Sequence, residues 1–386
     1  VVMMGLGYIG LPTAALIASR GMKVTGVDIR QGVVDIINKG QIHIVEPDLE
    51  ELVHKVVKDK NLCASTKPVS SDVYLVAVPT PFKGDHEPDL SYVMSATKSI
   101  IPTLKKDALV ILESTSPVGT TKKMEQFIYK ERPELKGHIF LAYCPERVLP
   151  GNILYELKHN DRAIGGVDEV STKKAINFYK HFVEGTLHAT TAKTAEMVKL
   201  VENASRDNQI AFANELSIIC DKAEINVWEM IALANKHPRV HILNPGTGVG
   251  GHCIAVDPWF IVSEFPKESP LIKKSREINN YKTNWVIEKI KDEALAFKAN
   301  KSQDPVIACM GLAFKPDIDD LRESPALFVA ESLENQGFKV IPVEPNLSGN
   351  KDRKLTNYNH AVNQADIIVY LVAHNEFNNL EIDSKK

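Results

Sequence analysis

The chain has 386 residues, of which 44% are hydrophobic and 25% charged, a composition typical of a globular protein. This length is too great for one compact core, so we expect two or three domains. The formal net charge of −3 excludes a broad basic surface that would bind nucleic acid or anionic lipid.

Strand and helix patterns alternate through the first part of the chain. Apolar runs of strand length occur at residues 1–4, 23–27, 73–78, 109–112 and 139–143. An alanine-rich helical stretch at 11–19 follows the first run and is stopped by Gly21, and further helical patterns lie between the later runs. This alternation predicts a parallel, doubly wound sheet.

The middle of the chain has a different pattern. Helical periodicity runs through residues 192–223 with few breakers, and it recurs at 227–235 and 272–298 without strand signals. We therefore predict an all-helical middle section whose long first helix joins two domains.

The opening pattern returns near residue 304. An apolar strand at 306–310 leads to Gly311, and a helix at 324–336 precedes a strand at 339–343 that ends at Glu344. This copy lacks the full glycine triplet of the first, so it is either a degenerate nucleotide site or simply a second α/β domain.

The predicted fold class is therefore α/β. It has two Rossmann-like, doubly wound parallel-sheet domains joined by a helical middle domain with a long central helix. The predicted boundaries are 1–190 for the first domain, 191–300 for the helical domain and 301–386 for the last one.

The first glycine-rich turn is a candidate dinucleotide site. Gly5, Gly7 and Gly10 form a GxGxxG run between a strand and a helix, and Asp28 ends the next strand. The glycines of this motif allow a tight turn, the approach of a pyrophosphate and close helix packing. Asp28 would bind the adenosine ribose and repel a 2′-phosphate, which favours NAD over NADP, although the nearby Arg30 weakens that preference. A βα turn without a ligand is the alternative.

Two further segments are expected in the same crevice. Thr80 and Thr115 follow strand-like runs, and open α/β sheets bind ligands at the carboxyl ends of their strands. Both threonines lie next to prolines, so they could equally be plain turn formers.

A glycine-rich loop with a cysteine is the most informative stretch of the sequence. Residues 246–251 contain four glycines, Cys253 follows them, and Asp257 comes one turn later. Such glycines suit a loop that wraps closely around a ligand such as a pyrophosphate, since they add no side-chain contacts. Cys253 is then a candidate reactive thiol, and a buried structural cysteine is the alternative.

The other cysteines are scattered without a CxxC pair, which is typical of a reducing cytosol. The longest apolar runs, such as 73–78 and 367–372, are too short for a membrane span. No signal peptide is visible, so we expect a cytosolic protein.

Charged and polar residues at two other places could take part in chemistry. Lys199, Asn203 and Arg206 fall on one face of the long helix, where an ammonium and an amide could stabilise an oxyanion; a solvated helix face is the alternative. Glu146 and Arg147 follow an apolar strand and could serve as a general base and a substrate ligand, or they could form a surface ion pair.

Several longer blocks are much more specific than the glycine triplet. They are VPTPFKGDHEPD at 78–89, CPERVLPG at 144–151, GGHCIAVDPWF at 250–260, GLAFKP at 311–316 and DLRES at 320–324. With these blocks the chain resembles the nucleotide-sugar 6-dehydrogenases, and the similarity runs from residue 1 to about residue 383.

The resemblance implies a four-electron oxidation of a sugar C6 alcohol to a carboxylate, with two NAD⁺ and one water consumed. Cys253 matches the nucleophile, which forms a thiohemiacetal and then a thioester. Lys199 matches the acid/base lysine, and Asn203 its partner in polarising the oxygen. Asp257 matches an aspartate that assists the base or the water, and Glu146 a glutamate implicated in thioester hydrolysis.

The same matching implies binding residues. NAD would be contacted by Tyr8, Ile9, Asp28, Thr80, Thr115 and Arg322. Besides Lys199 and Asn203, the UDP-sugar would be contacted by Arg147, Val148, Arg206, His237, Arg239, Gly246, Phe314 and Lys315, some of them across a subunit interface. The long central helix is the usual dimer contact of these enzymes, so a homodimer or larger homo-oligomer is expected, with no metal, nucleic acid or membrane partner.

Departures from the family pattern concern the sugar. Enzymes that act on UDP-glucose typically carry a second glutamate where this chain has Pro150 and a Ser-Cys-Phe run where it has residues 252–254, so an N-acetylated hexosamine is favoured. Relatives that act on UDP-N-acetylglucosamine usually have proline in place of Ala255. We therefore expect UDP-N-acetyl-D-mannosamine as substrate, in a pathway to surface polysaccharide. UDP-N-acetylglucosamine is the alternative, and a non-catalytic NAD-binding sensor is a more distant one.

Overall fold

The computed structural model describes residues 1–84, 86–148, 151–251, 253–347 and 355–380. Asp85, Leu149, Pro150 and His252, which belong to the sequence blocks above, lie outside the described residues, as does the end of the last predicted domain. The chain divides into two compact units, unit 1 with residues 1–201 and unit 2 with residues 202–386. The three-domain division remains a prediction.

Unit 1 alternates strands and helices. Its strands are β1 (Val2–Met4), β2 (Val24–Val27), β3 (Leu62–Ser65), β4 (Val73–Val76), β5 (Phe82–Lys83), β6 (Glu87–Pro88), β7 (Leu109–Leu112), β8 (Phe140–Tyr143), β9 (Arg162–Gly166) and β10 (Leu187–Thr191). Its helices are α1 (Gly10–Ser19), α2 (Gln31–Asn38), α3 (Leu49–Lys58), α4 (Ser91–Ile100), α5 (Thr120–Glu131), α6 (Ile153–His159) and α7 (Glu169–Tyr179), and the long helix α8 (Ala192–Lys222) begins here.

The main sheet of unit 1 has the strand order β10-β9-β8-β7-β4-β1-β2-β3. The pairs from β8 to β3 are all parallel. Helices cover both faces: α1, α3 and α7 contribute to one apolar core, and α4 and α5 to the other. Every residue of β7 is buried, as expected for a strand covered on both faces. The predicted doubly wound sheet is thus confirmed.

One end of this sheet differs from the prediction. β9 pairs antiparallel to β8, and no strand was predicted at β9 or β10. β9 ends in Gly165 and Gly166, and glycine is depleted in strands because it adds no side-chain packing. The glycines are required by close packing, since a Cβ at Gly165 would lie 2.1 Å from the Thr191 carbonyl oxygen and one at Gly166 2.4 Å from the Thr172 nitrogen.

Unit 2 contains the rest of α8 and a small α/β domain. Its other helices are α9 (Val227–Ala234), α10 (Asp257–Glu264), α11 (Pro270–Lys301), α12 (Pro325–Asn335) and α13 (Tyr358–Gln364), and its strands are β11 (Val306–Met310), β12 (Lys339–Val343) and β13 (Ile367–Tyr370). The sheet order is β12-β11-β13, and both pairs are parallel. The predicted long helix and the second copy of the strand–helix–strand pattern are both present.

In the parts of the chain that the structure describes, no helix combines the length and apolar character that crossing a bilayer requires.

Candidate active site

The glycine turn after β1 has the geometry of a phosphate-binding turn. Gly5 has a φ of +92°, and a Cβ there would lie 2.4 Å from the Ala77 carbonyl oxygen. A Cβ at Gly10 would lie 1.9 Å from the Gly5 carbonyl oxygen, so these two glycines are required by packing. A Cβ at Gly7 would have no atom within 4 Å, which leaves the backbone open at the start of α1. This opening suits a pyrophosphate at a helix N-terminus.

The two residues after Gly7 begin the helix. Tyr8 is exposed and Ile9 is half-buried. Ile9 is the N-cap residue of α1, and its apolar side chain makes no capping hydrogen bond. The N–H groups of Leu11 and Thr13 donate at 3.1 Å to the carbonyl oxygens of Gly7 and Ile9, so the opening for an anionic ligand lies at the glycine turn before them.

Asp28 lies directly after β2 and is buried. The Arg30 guanidinium donates hydrogen bonds of 3.0 and 3.2 Å to its two carboxylate oxygens, and the Leu6 N–H donates to it at 3.4 Å. Burial opposes the ionisation of Asp28, but the hydrogen bonds from Arg30 outweigh it and hold the pKa of Asp28 below its usual value. An anion next to the glycine turn suits the neutral hydroxyls of a ribose.

The two threonines predicted in the same crevice are in contact. The Thr80 hydroxyl donates a hydrogen bond of 2.7 Å to the Thr115 carbonyl oxygen. Ser114 strengthens the connection, because its hydroxyl accepts a hydrogen bond of 2.9 Å from the Val78 N–H. The segments after β4 and β7 are thus tied together at the carboxyl edge of the sheet.

Glu146 lies in a buried ion pair after β8. Its carboxylate accepts a hydrogen bond of 2.9 Å from the guanidinium of Arg162, and the side chains of Glu146 and Arg162 are 7% and 3% exposed. The Arg147 N–H donates to Glu146 at 2.7 Å, and the Arg147 guanidinium donates to the Asp161 carbonyl oxygen. Val148 is half-buried against the core. The alternative of a surface ion pair between Glu146 and Arg147 is therefore wrong, because the ion-pair partner of Glu146 is the buried Arg162.

In unit 2, the predicted catalytic residues Asn203, Asp257 and Cys253 lie together. The Asn203 amide on α8 donates a hydrogen bond of 2.5 Å to Asp257, which is 3% exposed and is the first residue of α10. The Cys253 carbonyl oxygen accepts hydrogen bonds from the N–H groups of Val256 at 3.0 Å and Asp257 at 2.8 Å. A tight turn therefore links Cys253 to the carboxylate that binds Asn203.

Cys253 is more exposed than three of the other four cysteines. Cys144, Cys220 and Cys309 are buried, whereas Cys253 is partly exposed. Among the remaining helix residues, Lys199 lies one turn before Asn203 and is half-buried, and Arg206 is exposed.

The glycines of the 246–251 loop pack against protein. A Cβ at Gly248 would lie 2.4 Å from the Thr283 hydroxyl oxygen, and one at Gly250 would lie 2.5 Å from the Glu323 carbonyl oxygen. A Cβ at Gly251 would meet the Phe314 ring at 3.0 Å. Three of the four glycines thus make room for neighbouring elements of unit 2, and binding of a pyrophosphate by this loop remains a prediction. A Cβ at Gly246 would come no nearer than 4.0 Å to another atom, so this glycine alone is open.

A buried polar network, which the sequence analysis missed, holds the Gly246 end of this loop. The Gly246 N–H donates to Asn214 at 2.9 Å, and the Asn214 amide donates to Asn279 at 2.9 Å. Asn279 and Arg276 donate to Asp207 at 2.7 and 2.6 Å. The only available signal was the presence of polar residues seven positions apart on one face of α8, since the partners on α11 are far away in sequence.

The second glycine turn, after β11, holds a carboxylate in much the same way as the first, but with a different side-chain partner. Glu344 accepts hydrogen bonds of 2.7 and 2.8 Å from the N–H groups of Leu312 and Ala313, and His374 lies 3.1 Å from the same oxygen. Like Asp28, Glu344 accepts from the N–H after the turn glycine and from the N–H two residues after itself, that of Asn346. The side-chain partner of Glu344 is His374, whereas that of Asp28 is an arginine. Half-buried Phe314 and Lys315 follow this turn. Glu344, which follows β12, thus stabilises the loop that carries these two predicted substrate contacts.

His374 also belongs to a group of side chains that could hold a metal ion, together with Asp317 and Glu376. The Nδ1 atom of His374 accepts hydrogen bonds from the Asp317 N–H at 2.9 Å and the Asn346 amide at 3.0 Å, and its Nε2 faces Glu344. Both ring nitrogens thus have protein partners. The group is explained by hydrogen bonding, with the imidazole connecting three loops.

Other predicted contacts lie at the surface of unit 2. The exposed Arg322 guanidinium forms an ion pair of 2.6 Å with Asp320. His237 and Arg239 are exposed after α9, and the Arg239 N–H donates to His237 Nδ1 at 3.3 Å. Their roles in binding remain predictions.

Comparison with known proteins agrees with this arrangement. The NAD binding, central and UDP binding domains of the UDP-glucose/GDP-mannose dehydrogenase family match residues 1–183, 193–281 and 308–386. The chain is 54% identical to the UDP-N-acetyl-D-mannosamine dehydrogenase of Campylobacter jejuni, over all of this chain and 97% of that protein. It is 50% identical to the NDP-N-acetyl-D-galactosaminuronic acid dehydrogenase of Ralstonia nicotianae, over 98% of this chain and 92% of that one.

A solved structure, that of the UDP-D-ManNAc dehydrogenase of Pyrococcus horikoshii, superposes with a TM-score of 0.89 at 40% identity, covering 98% of this chain and 90% of that one. The cofactor is accordingly NAD, and the enzyme oxidises a UDP-sugar. The chain belongs to the UDP-glucose/GDP-mannose dehydrogenase family.

Proposed function

We propose that this enzyme oxidises the C6 hydroxyl of UDP-N-acetyl-D-mannosamine to a carboxylate in two successive oxidations, with the sugar held on Cys253 between them. The observation that carries the proposal is the linked set of Asn203, Asp257 and partly exposed Cys253 in unit 2. The identity of the sugar is supported by the UDP-N-acetyl-D-mannosamine dehydrogenase of Campylobacter jejuni.

The cofactor would be held by residues at the carboxyl edge of the unit 1 sheet. The open backbone at Gly7, together with Gly5 and Gly10, suits the pyrophosphate, and Asp28 suits the adenosine ribose. Thr80 lies on the tied loops nearby. The remaining proposed contacts are Tyr8, Ile9, Thr115 and Arg322. Bound NAD⁺ supplies the hydride acceptor for each oxidation, so two molecules are reduced per sugar.

The first oxidation removes a hydride from C6 and the proton of its hydroxyl, which leaves an aldehyde. In our proposal Lys199 accepts this proton, and the Asn203 amide polarises the oxygen. Asp257 accepts a hydrogen bond from Asn203, so it fixes the orientation of the amide. It also assists the lysine or the water that reacts later.

Cys253 then joins the sugar covalently. Its sulfur bonds to C6 and its proton passes to the aldehyde oxygen, which gives a thiohemiacetal. Loss of a second hydride from C6 and of the hydroxyl proton gives a thioester. Water attacks this thioester, the C–S bond breaks, and the products are the carboxylate, a proton and the restored thiol. We assign the orientation of this water to Glu146, whose carboxylate is held by Arg162.

The proposed contacts of the UDP-sugar are those that the family resemblance implies. Arg147 and Val148 are the proposed contacts after β8. In unit 2 the proposed contacts are Lys315 and Phe314 after β11, the open Gly246, and Arg206, His237 and Arg239. Arginine and lysine suit the diphosphate, and an aromatic ring next to glycine suits a flat base.

We also propose that the enzyme is a homodimer or a larger homo-oligomer assembled through its helical segment. Large apolar side chains are exposed on α8 and α9, among them Phe212, Ile219, Trp228 and Leu233. Large exposed apolar side chains on successive helices are typical of an interface. Light scattering of the purified chain would give a single species of at least twice the monomer mass, and a monomer would refute this part of the proposal.

The substrate is tested by a panel of nucleotide sugars. Purified enzyme is incubated with NAD⁺ and the UDP derivatives of N-acetylmannosamine, N-acetylglucosamine, N-acetylgalactosamine and glucose, and both NADH and the remaining sugar are measured. We expect UDP-N-acetyl-D-mannosamine to react with the highest kcat/KM and with two NADH formed per sugar. A ratio of one would refute the four-electron reaction, and preference for UDP-N-acetylglucosamine would select the alternative substrate.

The role of the thiol is tested by Cys253→Ala, with Cys63→Ala as the control because Cys63 is also not buried. We expect loss of uronate formation only in the first variant, with NAD binding unchanged in both. Uronate formation by Cys253→Ala at a rate close to that of the wild type would exclude the covalent mechanism and favour a simple hydroxyl oxidation.

A further inference from the structure

A second carboxyl group lies close to Glu146 inside unit 1. Glu113 follows β7, Cys144 and Glu146 follow β8, Arg162 begins β9 and Tyr179 ends α7. These five side chains, which we call the Glu113 cluster, are each at most 9% exposed. They occupy the carboxyl ends of β7 and β8, beside the loops that serve the cofactor.

Short distances connect the members of the Glu113 cluster. The Tyr179 hydroxyl donates a hydrogen bond of 2.6 Å to Glu113 Oε1, and Arg162 donates one of 2.9 Å to Glu146 Oε2. The Arg162 guanidinium lies 5.2 Å from the centre of the Tyr179 ring, and one of its nitrogens lies 3.9 Å from Cys144 Sγ. The two carboxyl groups therefore share the surroundings of a single cation.

The two carboxyl groups differ in their hydrogen-bond partners. Glu146 receives two hydrogen bonds, from the Arg162 guanidinium and from the Arg147 N–H at 2.7 Å. Glu113 receives one, from the neutral Tyr179 hydroxyl, and among the described residues its Oε2 has no hydrogen-bond partner. A buried charge without such partners is costly. The negative charge therefore belongs on Glu146, and the neutral form suits Glu113.

The titration of the cluster agrees with this geometry. Burial and then the charge of Glu146 raise the pKa of Glu113 to about 7, against the opposing effects of Tyr179 and Arg162. Burial also raises the pKa of Cys144 to about 11 and that of Tyr179 well above its usual value, so both stay protonated at neutral pH. Glu113 is thus the member of the cluster that gains or loses a proton near neutrality.

We propose that Glu113 is a positioning residue for Glu146: while Glu113 is protonated, Arg162 stays with Glu146, and when Glu113 ionises, its charge competes for Arg162 and disturbs the arrangement of Glu146. This inference rests on the proposed role of Glu146 in thioester hydrolysis. The competition is local, because Arg162 is the cation of the cluster, and among the described residues its Nε has no hydrogen-bond partner and can turn to a second anion.

Two conservative variants separate this idea from a merely structural role. Glu113→Gln keeps an acceptor for Tyr179 but cannot ionise. Its rate relative to the wild type should therefore rise by about thirtyfold from about pH 6 to about pH 8.5, because a group with a pKa near 7 ionises in this interval. Tyr179→Phe removes the hydrogen bond that favours the ionised form, so the alkaline decline of the rate should shift to higher pH. The rate compared is that of uronate release after the first NADH has formed.

The ionisation of Glu113 can also be measured directly, without any assumption about the catalytic mechanism. Infrared difference spectra recorded over the same pH range should contain the C=O band of a protonated carboxyl that disappears as pH rises and is missing in Glu113→Gln. Absence of such a band, or a constant ratio of variant to wild-type rates, would overturn the proposal. If Glu146→Gln hydrolyses the thioester normally while the band is present, only the proposed role of Glu146 fails, and the titration of Glu113 stands.

Discussion

The preference for NAD over NADP is predicted to depend on the charge of Asp28. The variant Asp28→Asn keeps the size of the side chain and an acceptor for the Leu6 N–H, but it removes the negative charge. It also releases the Arg30 guanidinium from hydrogen bonds of 3.0 and 3.2 Å. The variant should therefore gain activity with NADP, because a released guanidinium can bind a 2′-phosphate.

The size of the effect follows from the charges involved. A 2′-phosphate at the ribose edge that Asp28 faces would place two anions within about 4 Å, and this costs about 4 kcal/mol at an effective dielectric constant near 20. Since about 1.4 kcal/mol corresponds to a factor of ten, the removal of this repulsion should change the ratio of kcat/KM for NAD to that for NADP by about 10³.

The assay is the initial rate of NADH or NADPH formation with saturating UDP-sugar, from which kcat/KM is obtained for each cofactor. The double variant Asp28→Asn, Arg30→Met is the matched control, and it should lose most of the gain with NADP because the cation is gone. An NADP efficiency in Asp28→Asn that stays within about twofold of the wild type would refute the assignment of Asp28 to the ribose.

Three further variants test other parts of the site. Asn203→Ala should lower kcat by about 10² to 10³ without changing NAD affinity in calorimetry, because it removes an oxyanion donor, and a change confined to KM would contradict this role. Glu344 is buried, but hydrogen bonds from His374 and from backbone amides outweigh the effect of burial and lower the pKa of Glu344. The ionised Glu344 therefore stabilises the fold above the ordinary pKa of a glutamate, and this stabilisation is lost as pH falls through the lowered pKa. Glu344→Gln should therefore reduce the free energy of unfolding by about 2 to 3 kcal/mol at neutral pH, and less in acid; an equal loss at both pH values would contradict the sign. Gly250→Ala would place a Cβ 2.5 Å from the Glu323 carbonyl oxygen, and it should lower the free energy of unfolding by about 2 kcal/mol in chemical denaturation, whereas unchanged stability would contradict the packing of the loop.

The strands with strong apolar runs could be predicted from the sequence. The predicted bounds 109–112, 306–310 and 339–343 coincide with β7, β11 and β12. These runs are rich in β-branched residues, and β7 and β11 are almost fully buried, as expected for strands that are covered on both faces. The strand β9 could not be predicted in this way, because its two glycines serve close backbone contacts that only the folded chain reveals.

The long helix α8 was predicted within one residue at its end, since its period is uninterrupted over residues 192–222. The protein neighbours of the glycines at 248, 250 and 251 could not be predicted. A glycine signals that something approaches the backbone closely, but the sequence does not say whether the neighbour is a ligand or another loop. Here the neighbours are Thr283, Glu323 and Phe314 of the same unit.

The ion-pair and hydrogen-bond partners of the predicted site residues could not be predicted from the sequence. Glu146 was identified as chemically interesting, but its cation Arg162 begins a strand that was not predicted. Asp257 and Asn203 were both selected, and the structure joins them by a hydrogen bond between residues 54 positions apart. Residue types and spacing indicate which groups are unusual, whereas the fold decides which of them meet.

The covalent attachment of the sugar to Cys253 is the central claim, and trapping it is the most direct test. Enzyme turning over UDP-N-acetyl-D-mannosamine with NAD⁺ is quenched in acid within milliseconds to seconds, digested and analysed by mass spectrometry. We predict that the peptide containing Cys253 gains the mass of the acylated UDP-sugar, that the adduct disappears as uronate accumulates, and that Cys63 is unmodified. Complete conversion to uronate with no adduct on Cys253 at any time, and equal conversion by Cys253→Ala, would contradict the account.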